Sequence, residues 1–202
     1  MSRTILRRFL PLTSVIIFIA LFTLISPEEK SLGANVRVVY LHGAWVLTAI
    51  ITLAAAGLSG LAGLVTRSPR WHRWSQALGR TGMLFWITYL PISMWAMETN
   101  WNGLFLSEPR WRIAAIFAVT GLLLQAGLAL IDLPALTSGA NLIFMVALAV
   151  SLQNVDTVLH PPPSPIFNSG NDRIEFFFIG LNLLTLLAAW LVTRLWHQAA
   201  KV

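Results

Sequence analysis

Six apolar runs dominate this sequence of 202 residues. A helix of about 20 apolar residues spans the hydrocarbon layer of a bilayer, which is about 30 Å thick. The runs cover residues 9–26, 38–66, 81–97, 113–131, 139–155 and 174–196. Only 11% of the residues are charged, which is too few to cover so much apolar surface in water. The sequence therefore predicts an all-α fold, a polytopic membrane helix bundle with about six transmembrane helices in a single integral membrane domain over residues 1–202.

The first apolar run follows three arginines, as the apolar region of a signal peptide would. The run ends in Ile25-Ser26-Pro27-Glu28, and no small-x-small cleavage site follows it. We therefore expect this segment to be retained as a transmembrane helix.

The basic residues are unevenly divided between the two sides that six spans define. Nine of the fourteen fall on the side of the termini, namely Arg3, Arg7, Arg8, Arg67, Arg70, Arg73, Arg80, Arg194 and Lys201. The other five are Lys30, Arg37, Arg110, Arg112 and Arg173. Cytoplasmic loops carry an excess of Lys and Arg. The pattern predicts a multi-pass protein of the cell membrane with both termini in the cytoplasm, and the loop over residues 67–80 is its strongest signal.

Composition also excludes several kinds of chemistry. The chain contains no cysteine, which excludes disulfides, thiol exchange and covalent thioether attachment of a cofactor. It contains no phosphate-binding G-x-x-x-x-G-K-[ST] loop, so any use of ATP would belong to a partner. The net charge of +6 is spread over the loops, which indicates membrane topology rather than binding to nucleic acid.

Small and polar residues inside the spans predict how the helices pack. Ala56 and Gly60, like Ser59 and Gly63, are spaced by one helical turn, which lets another helix approach closely. The main polar candidates within the spans are Gln125, Asn141, Gln153 and Asn182. Hydrogen bonds between helices are the commoner use of such amides.

The four histidines form two groups. His72 and His197 lie among Arg and Trp at the predicted cytoplasmic edge, where an interfacial anchor is the simple interpretation. His42 lies just inside the outer end of the second span, and His160 lies in the outer loop after the fifth. Two neutral imidazoles at one membrane surface can ligate one heme iron. Two unrelated interfacial histidines remain the alternative.

Aromatic residues are concentrated in the outer segment over residues 95–112. The aromatic residues are Trp95, Trp101, Phe105 and Trp111, and the arginines are Arg110 and Arg112. Aromatic faces can pack on a porphyrin, and guanidinium groups can bind its propionates. The alternative is the aromatic belt that membrane proteins carry at their interfaces.

These motifs together resemble the cytochrome c assembly protein family, and most closely its heme exporter protein C branch. The resemblance covers residues 35–190 and is based on Tyr40-Leu-His42, on the segment that ends in Leu159-His160, and on the tryptophan-rich loop. The family motif in that loop is usually Trp-Gly-x-Trp-Trp-x-Trp-Asp-x-Arg. This chain retains only Trp101 and Arg110 of it, with Phe105 and Glu108 as similar replacements. The proline that often follows the first histidine is replaced by Gly43.

The resemblance implies a protein that is not an enzyme and that handles heme for cytochrome c biogenesis. It implies non-covalent binding of heme b (protoheme) at the outer face, with His42 and His160 as ligands of the iron. Trp101, Phe105 and Trp111 would shield the macrocycle, and Arg110 would bind a propionate. Arg37, Arg112 and Arg173 are further candidates for the propionates. The implied partners are heme, membrane lipid, a heme chaperone and other cytochrome c maturation subunits, without nucleic acid.

Two other functions stay open at this point. A b-type membrane cytochrome subunit would keep its heme and transfer electrons, although such proteins usually carry histidine pairs inside helices. A structural membrane subunit would bind no heme, which the degenerate tryptophan motif favours.

Overall fold

The computed structural model describes residues 3–155, 166–167 and 169–199. These residues form six α-helices and no β-strand. The helices are α1 (Arg3–Leu24), α2 (Val36–Thr66), α3 (Pro69–Trp101), α4 (Pro109–Ile131), α5 (Pro134–Gln153) and α6 (Asp172–Ala199). The predicted all-α helical bundle is confirmed.

Four of the helices, α2, α4, α5 and α6, are long and apolar enough to cross a membrane. The apolar part of α1 is shorter and covers Arg8–Leu24. The apolar half of α3 contains Trp86, Tyr89 and Pro91, which lower its mean hydropathy. The large aliphatic side chains on the outside include Leu130 at 88% exposure and Val65 at 74%. Such a surface needs lipid as its solvent, and the chain is a membrane protein.

The helices extend beyond the predicted spans. α3 begins at Pro69, so most of the predicted basic loop over residues 67–80 is helical, and only Arg67 and Ser68 connect α2 to α3. The outer segment 95–112 is likewise shortened, because α3 continues to Trp101 and α4 begins at Pro109. Hydropathy marks the part of a helix that lies in lipid, whereas the helix itself continues into the interface.

Two residues connect α2 to α3 and α4 to α5, and seven connect α3 to α4. α2, α3 and α4 each end on a residue in the left-handed conformation, at Arg67 (φ 52°), Asn102 (φ 54°) and Asp132 (φ 52°). The next helix begins at a proline in each case. Proline suits the first helical position because its missing N–H would have no partner there.

Contacts between distant residues define the two ends of the bundle. Nη2 of Arg8 donates to the carbonyl of Leu195 at 3.5 Å, and the ring of Trp74 stacks on His197 with centroids 4.3 Å apart. The beginning of α3 and both ends of the chain therefore lie together, at what we call the terminal end. At the opposite end, which we call the loop end, Nδ2 of Asn35 donates to the carbonyl of Thr99 at 3.1 Å.

α2 and α3 form the centre of the bundle. α2 packs on α3, α5 and α6, and α3 also contacts α4, α5 and α6. A Cβ atom at Gly60 would lie 2.5 Å from the carbonyl oxygen of Ser138 on α5, and one at Gly63 would lie 2.7 Å from Nδ1 of His72. The predicted close packing along the small residues of α2 is confirmed at these two positions.

The amides within the spans differ in whether they bond between helices. Nε2 of Gln125 on α4 donates to Oδ1 of Asn141 on α5 at 2.8 Å. Asn182 instead bonds within its own helix, with Nδ2 donating to the carbonyl of Phe178 at 2.7 Å. His72 differs from the predicted interfacial anchor, because its Nδ1 hydrogen-bonds with the hydroxyl of Ser138 at 2.7 Å.

Candidate functional site

His42 lies near the beginning of α2. The helix begins at Val36, so His42 is six residues further along, or about 9 Å at 1.5 Å per residue. Its side chain is half-buried, and its ring lies 5.7 Å from the ring of Tyr89 on α3 at an angle of 49°. The imidazole therefore faces the junction between α2 and α3.

The neighbouring Tyr40 takes no part in this junction. Two residues along a helix rotate the side chain by about 200°, so Tyr40 faces away from His42. Tyr40 is 1% exposed and packs on Phe177 of α6, with ring centroids 5.5 Å apart. A Cβ atom at Gly43 would lie 3.2 Å from Cζ of Phe178. The small residue at position 43 thus allows α6 to pack close beside the candidate ligand.

Tyr89 and Glu108 extend the junction towards α4. Tyr89 is 5% exposed and packs edge-on against Trp86, with centroids 5.1 Å apart. Glu108 is 4% exposed, and its carboxylate interacts electrostatically with the Tyr89 phenol. The same carboxylate caps α4, because Oε2 accepts from the backbone N–H of Trp111 at 2.9 Å. His42 and Tyr89 therefore join α2 to α3, and Glu108 caps the beginning of α4.

Sequence reasoning did not single out Tyr89, and it treated Glu108 only as a replacement in the family motif. The sequence Ser107-Glu108-Pro109 does contain a signal that could have identified Glu108. An acidic residue directly before a proline favours a helix start, where the carboxylate bonds the free N–H groups. Nothing in the local pattern distinguishes Tyr89 from an ordinary core aromatic.

The other predicted site residues surround the short connection between α3 and α4. Trp101 is the last residue of α3, and Phe105 lies in the connection with 41% of its surface exposed. Arg110 and Trp111 lie in the first turn of α4, and both are half-buried. Nε of Arg110 and Nε1 of Trp111 are buried donors that have no acceptor in the described part of the chain.

The structure brings only part of the predicted site together. The loop end holds Trp101, Phe105, Arg110 and Trp111, whereas the His42 ring packs against Tyr89. His160 lies outside the described residues. Arg37 lies 4.0 Å from the carboxylate of Glu28, which partly neutralises it as a partner for propionates. Arg112 and Arg173 are exposed.

The residues present fit a heme in two respects. A half-buried imidazole can offer a nitrogen to iron while its packing fixes the ring, as His42 does against Tyr89. Buried N–H groups without an acceptor favour an acidic ligand, and the propionates of heme are acidic. Groups of three or more His, Cys, Asp or Glu that could hold a metal ion do not occur among the described residues. Heme needs no such group, because the porphyrin supplies four of its ligands.

No protein-family model, curated protein or solved structure matches this chain. A functional assignment therefore depends on the residues and their geometry.

Proposed function

We propose that this chain is a non-catalytic heme-handling membrane protein of cytochrome c biogenesis. It would bind protoheme non-covalently near the loop end of the bundle and present or transfer it to an acceptor. Heme would be cargo, collected by a heme chaperone or another cytochrome c maturation subunit. The observation that carries the proposal is the half-buried His42 facing Tyr89, at the end of the bundle that also holds Arg110 and Trp111.

His42 would be one axial ligand of the heme iron, and His160 would be the second. Iron ligation by two imidazoles holds heme firmly and still permits its release, since no covalent bond ties the porphyrin to the chain. Cysteine is absent from the sequence, so a thioether bond that would trap the heme cannot form. Tyr89 would limit rotation of the His42 ring, because the two rings are in contact.

Arg110 and Trp111 would bind the acidic edge of the heme. Their buried Nε and Nε1 donors lack acceptors in the part of the chain that the structure describes. A buried donor without a partner costs free energy, and a propionate oxygen would remove that cost. Trp101 and Phe105 would shield the macrocycle from water. Phe105 is well placed for a ligand that arrives from outside, because it is 41% exposed.

The proposal also includes the orientation of the protein. All six helices would cross the cell membrane, with both termini in the cytoplasm and the loop end on the extracytoplasmic face. The support is the excess of Lys and Arg on the side of the termini, together with the contacts of Arg8 and His197 at the terminal end.

The direct test is the visible absorption spectrum and heme content of the purified protein. We expect a low-spin heme spectrum in the wild type, which His42→Ala and His160→Ala would each weaken. Added imidazole should restore part of the spectrum in both variants. His197→Ala is the matched control, because it removes an imidazole at the terminal end and should leave the spectrum unchanged. A wild-type protein that stays colourless after heme is supplied would contradict the proposal and favour the heme-free structural subunit.

A transfer assay separates heme handling from electron transfer. Wild-type protein loaded with heme would be mixed with apomyoglobin, which acquires a distinct spectrum when it takes up heme. A heme-handling protein should lose its heme to the acceptor within the experiment. A b-type cytochrome would retain the heme and show a reversible one-electron reduction instead.

A further inference from the structure

A cavity with charged residues in its lining opens at the terminal end, away from the candidate heme site. Its volume is about 630 Å³, and it lies between the first turns of α3 and the turn that joins α4 to α5. The polar lining residues are His72, Arg73, Gln76, Arg80 and Asp132. The cavity thus contains two guanidinium groups and one carboxylate.

The two arginines face the cavity from the same side of α3. They are seven residues apart, which is about two helical turns. Arg73 is half-buried, and its Nε has no hydrogen-bond acceptor in the described ranges. The guanidinium carbon of Arg80 lies 5.6 Å from the centre of the Trp196 ring, and this cation–π contact restrains its side chain.

The described residues leave the charge of the cavity unbalanced. Asp132 is the acidic residue of the lining, and it forms no ion pair within 4.0 Å with Arg73 or Arg80 in the part of the chain that the structure describes. His72 is held by Ser138 through the 2.7 Å hydrogen bond of its Nδ1. Two arginines against one aspartate leave an excess of positive charge, which favours an anion.

The surroundings of the cavity are apolar. Aliphatic residues of the α4–α5 turn are exposed beside it, with Ile131 at 54%, Leu133 at 56% and Leu136 at 46%. Arg73 and Arg80 lie about 6 Å and about 16 Å along the axis of α3 from Pro69. With α3 crossing the bilayer, as proposed above, this range would reach from the headgroup layer towards the hydrocarbon core. A ligand here would meet positive charge and acyl-chain surface together.

We propose that this cavity binds the phosphate group of an anionic phospholipid in the leaflet at the terminal end. Arg73 and Arg80 bind the phosphate oxygens, Gln76 lies between them on the same face, and the acyl chains lie against the exposed side chains of the α4–α5 turn. A soluble phosphate would bind the same two arginines, but it has no acyl chains to pack against the aliphatic surface.

The test is native mass spectrometry of the full-length protein with phosphatidylglycerol and with phosphatidylcholine of the same acyl chains. Arg73→Gln with Arg80→Gln should lower the affinity for phosphatidylglycerol on the order of twentyfold, since both guanidinium groups would lose direct charge-assisted hydrogen bonds to the phosphate. Arg67→Gln with Arg70→Gln is the matched control, because both residues are exposed at the same end and lie outside the cavity lining. This control should lower the affinity less than about threefold, because exposed charges that make no direct contact interact weakly through solvent.

Asp132→Asn provides a change in the opposite direction. It removes the opposing carboxylate, and asparagine tolerates the left-handed conformation of this residue. The affinity for phosphatidylglycerol should rise severalfold. Arg73→Gln alone leaves the contact between Arg80 and Trp196 intact. The single variants Asp132→Asn and Arg73→Gln therefore test the site even if the double variant unfolds.

Three results would overturn the proposal. The first is an equal loss of affinity in the cavity and control variants, which would indicate diffuse attraction to the basic end. The second is equal binding of phosphatidylcholine and phosphatidylglycerol. The third is displacement of the lipid by equimolar glycerol phosphate, which would assign the cavity to a soluble anion.

Discussion

Nδ2 of Asn141 on α5 donates to the backbone carbonyl of Ser75 on α3 at 2.9 Å, deep inside the bundle. Oδ1 of the same amide accepts from Gln125 on α4. The hydroxyl of Ser75 in turn donates to the carbonyl of Ala56 on α2 at 2.9 Å. One asparagine side chain, which is 4% exposed, therefore connects four helices through polar contacts.

Replacing Asn141 by leucine should destabilise the bundle by about 1–2 kcal/mol, since hydrogen bonds between transmembrane helices contribute about 0.6 kcal/mol each. The change removes the bond to Ser75 and leaves Nε2 of Gln125 without its acceptor. Unfolding in mixed detergent, followed by circular dichroism, measures the loss. Asn182→Leu is the matched control, because Nδ2 of that amide donates to a carbonyl within α6. Equal losses in the two variants would show that the interhelical contacts add nothing.

Replacing Gly60 by alanine should cost about 1–3 kcal/mol, as overpacking of a filled core does. The new Cβ would lie 2.5 Å from the backbone oxygen of Ser138, and a backbone atom cannot rotate away. Gly139→Ala is the control, because its Cβ would meet nothing within 4 Å. This variant should be neutral or more stable, since alanine is the better helix former. A thermal midpoint of Gly60→Ala at or above that of the wild type would contradict the close contact.

Under the proposed function, Arg110→Gln and Trp111→Phe should each lower heme affinity by about tenfold, because a hydrogen bond to a charged group contributes about 1.5–3 kcal/mol. Trp111→Phe retains an aromatic ring and removes only the N–H donor and part of the indole. Arg112→Gln is the matched control on the same helix, because Arg112 is exposed. Titration of the apoprotein with heme, followed in the Soret band, gives the three affinities. A loss in Arg112→Gln equal to that in Arg110→Gln would indicate a general effect of charge.

The turn between α1 and α2 should be sensitive to acid. Hydrogen bonds from the hydroxyl and the N–H of Ser31 hold the pKa of the Glu29 carboxyl below its usual 4.5. A carboxyl whose pKa is depressed in the folded state stabilises that state above its unfolded pKa, and the stabilisation is lost as the pH falls through the folded value. The turn should therefore loosen below about pH 4.5. Ser31→Ala should raise the pKa of Glu29 towards its usual value, as measured by NMR of the side-chain carboxyl carbon. A pKa that stays low in Ser31→Ala would assign the shift to other groups.

Much of the fold can be predicted from the apolar runs, because the bilayer requires long helical segments whose backbone bonds are satisfied internally. The centres of all six helices lie within the predicted spans. Their ends were less predictable. The first turns of α3 carry Arg70, Arg73 and Arg80, and a hydropathy pattern interprets such residues as a loop although the helix continues through them.

The sequence predicted where the candidate residues lie in their helices better than it predicted which residues they contact. The sequence predicted His42 just inside the outer end of the second span, and in the structure it lies six residues after the first residue of α2. Tyr89 is distant from His42 in sequence, and only the packing of α2 on α3 brings their rings together. The pairing of His72 with Ser138 escaped prediction for the same reason, since it depends on the close approach at Gly60 and Gly63.

The left-handed conformation of Arg67 has a consequence for how the protein enters the membrane. Glycine would adopt φ 52° with less strain, by about 1 kcal/mol. Glycine would also remove a positive charge from a connection of two residues, where charge helps to decide which way a helical hairpin inserts. The strain at this turn persists for the lifetime of the folded protein, whereas the charge matters during the seconds of synthesis. A substitution that relaxes the turn can therefore stabilise the finished bundle and still lower the fraction of chains that insert in the right orientation.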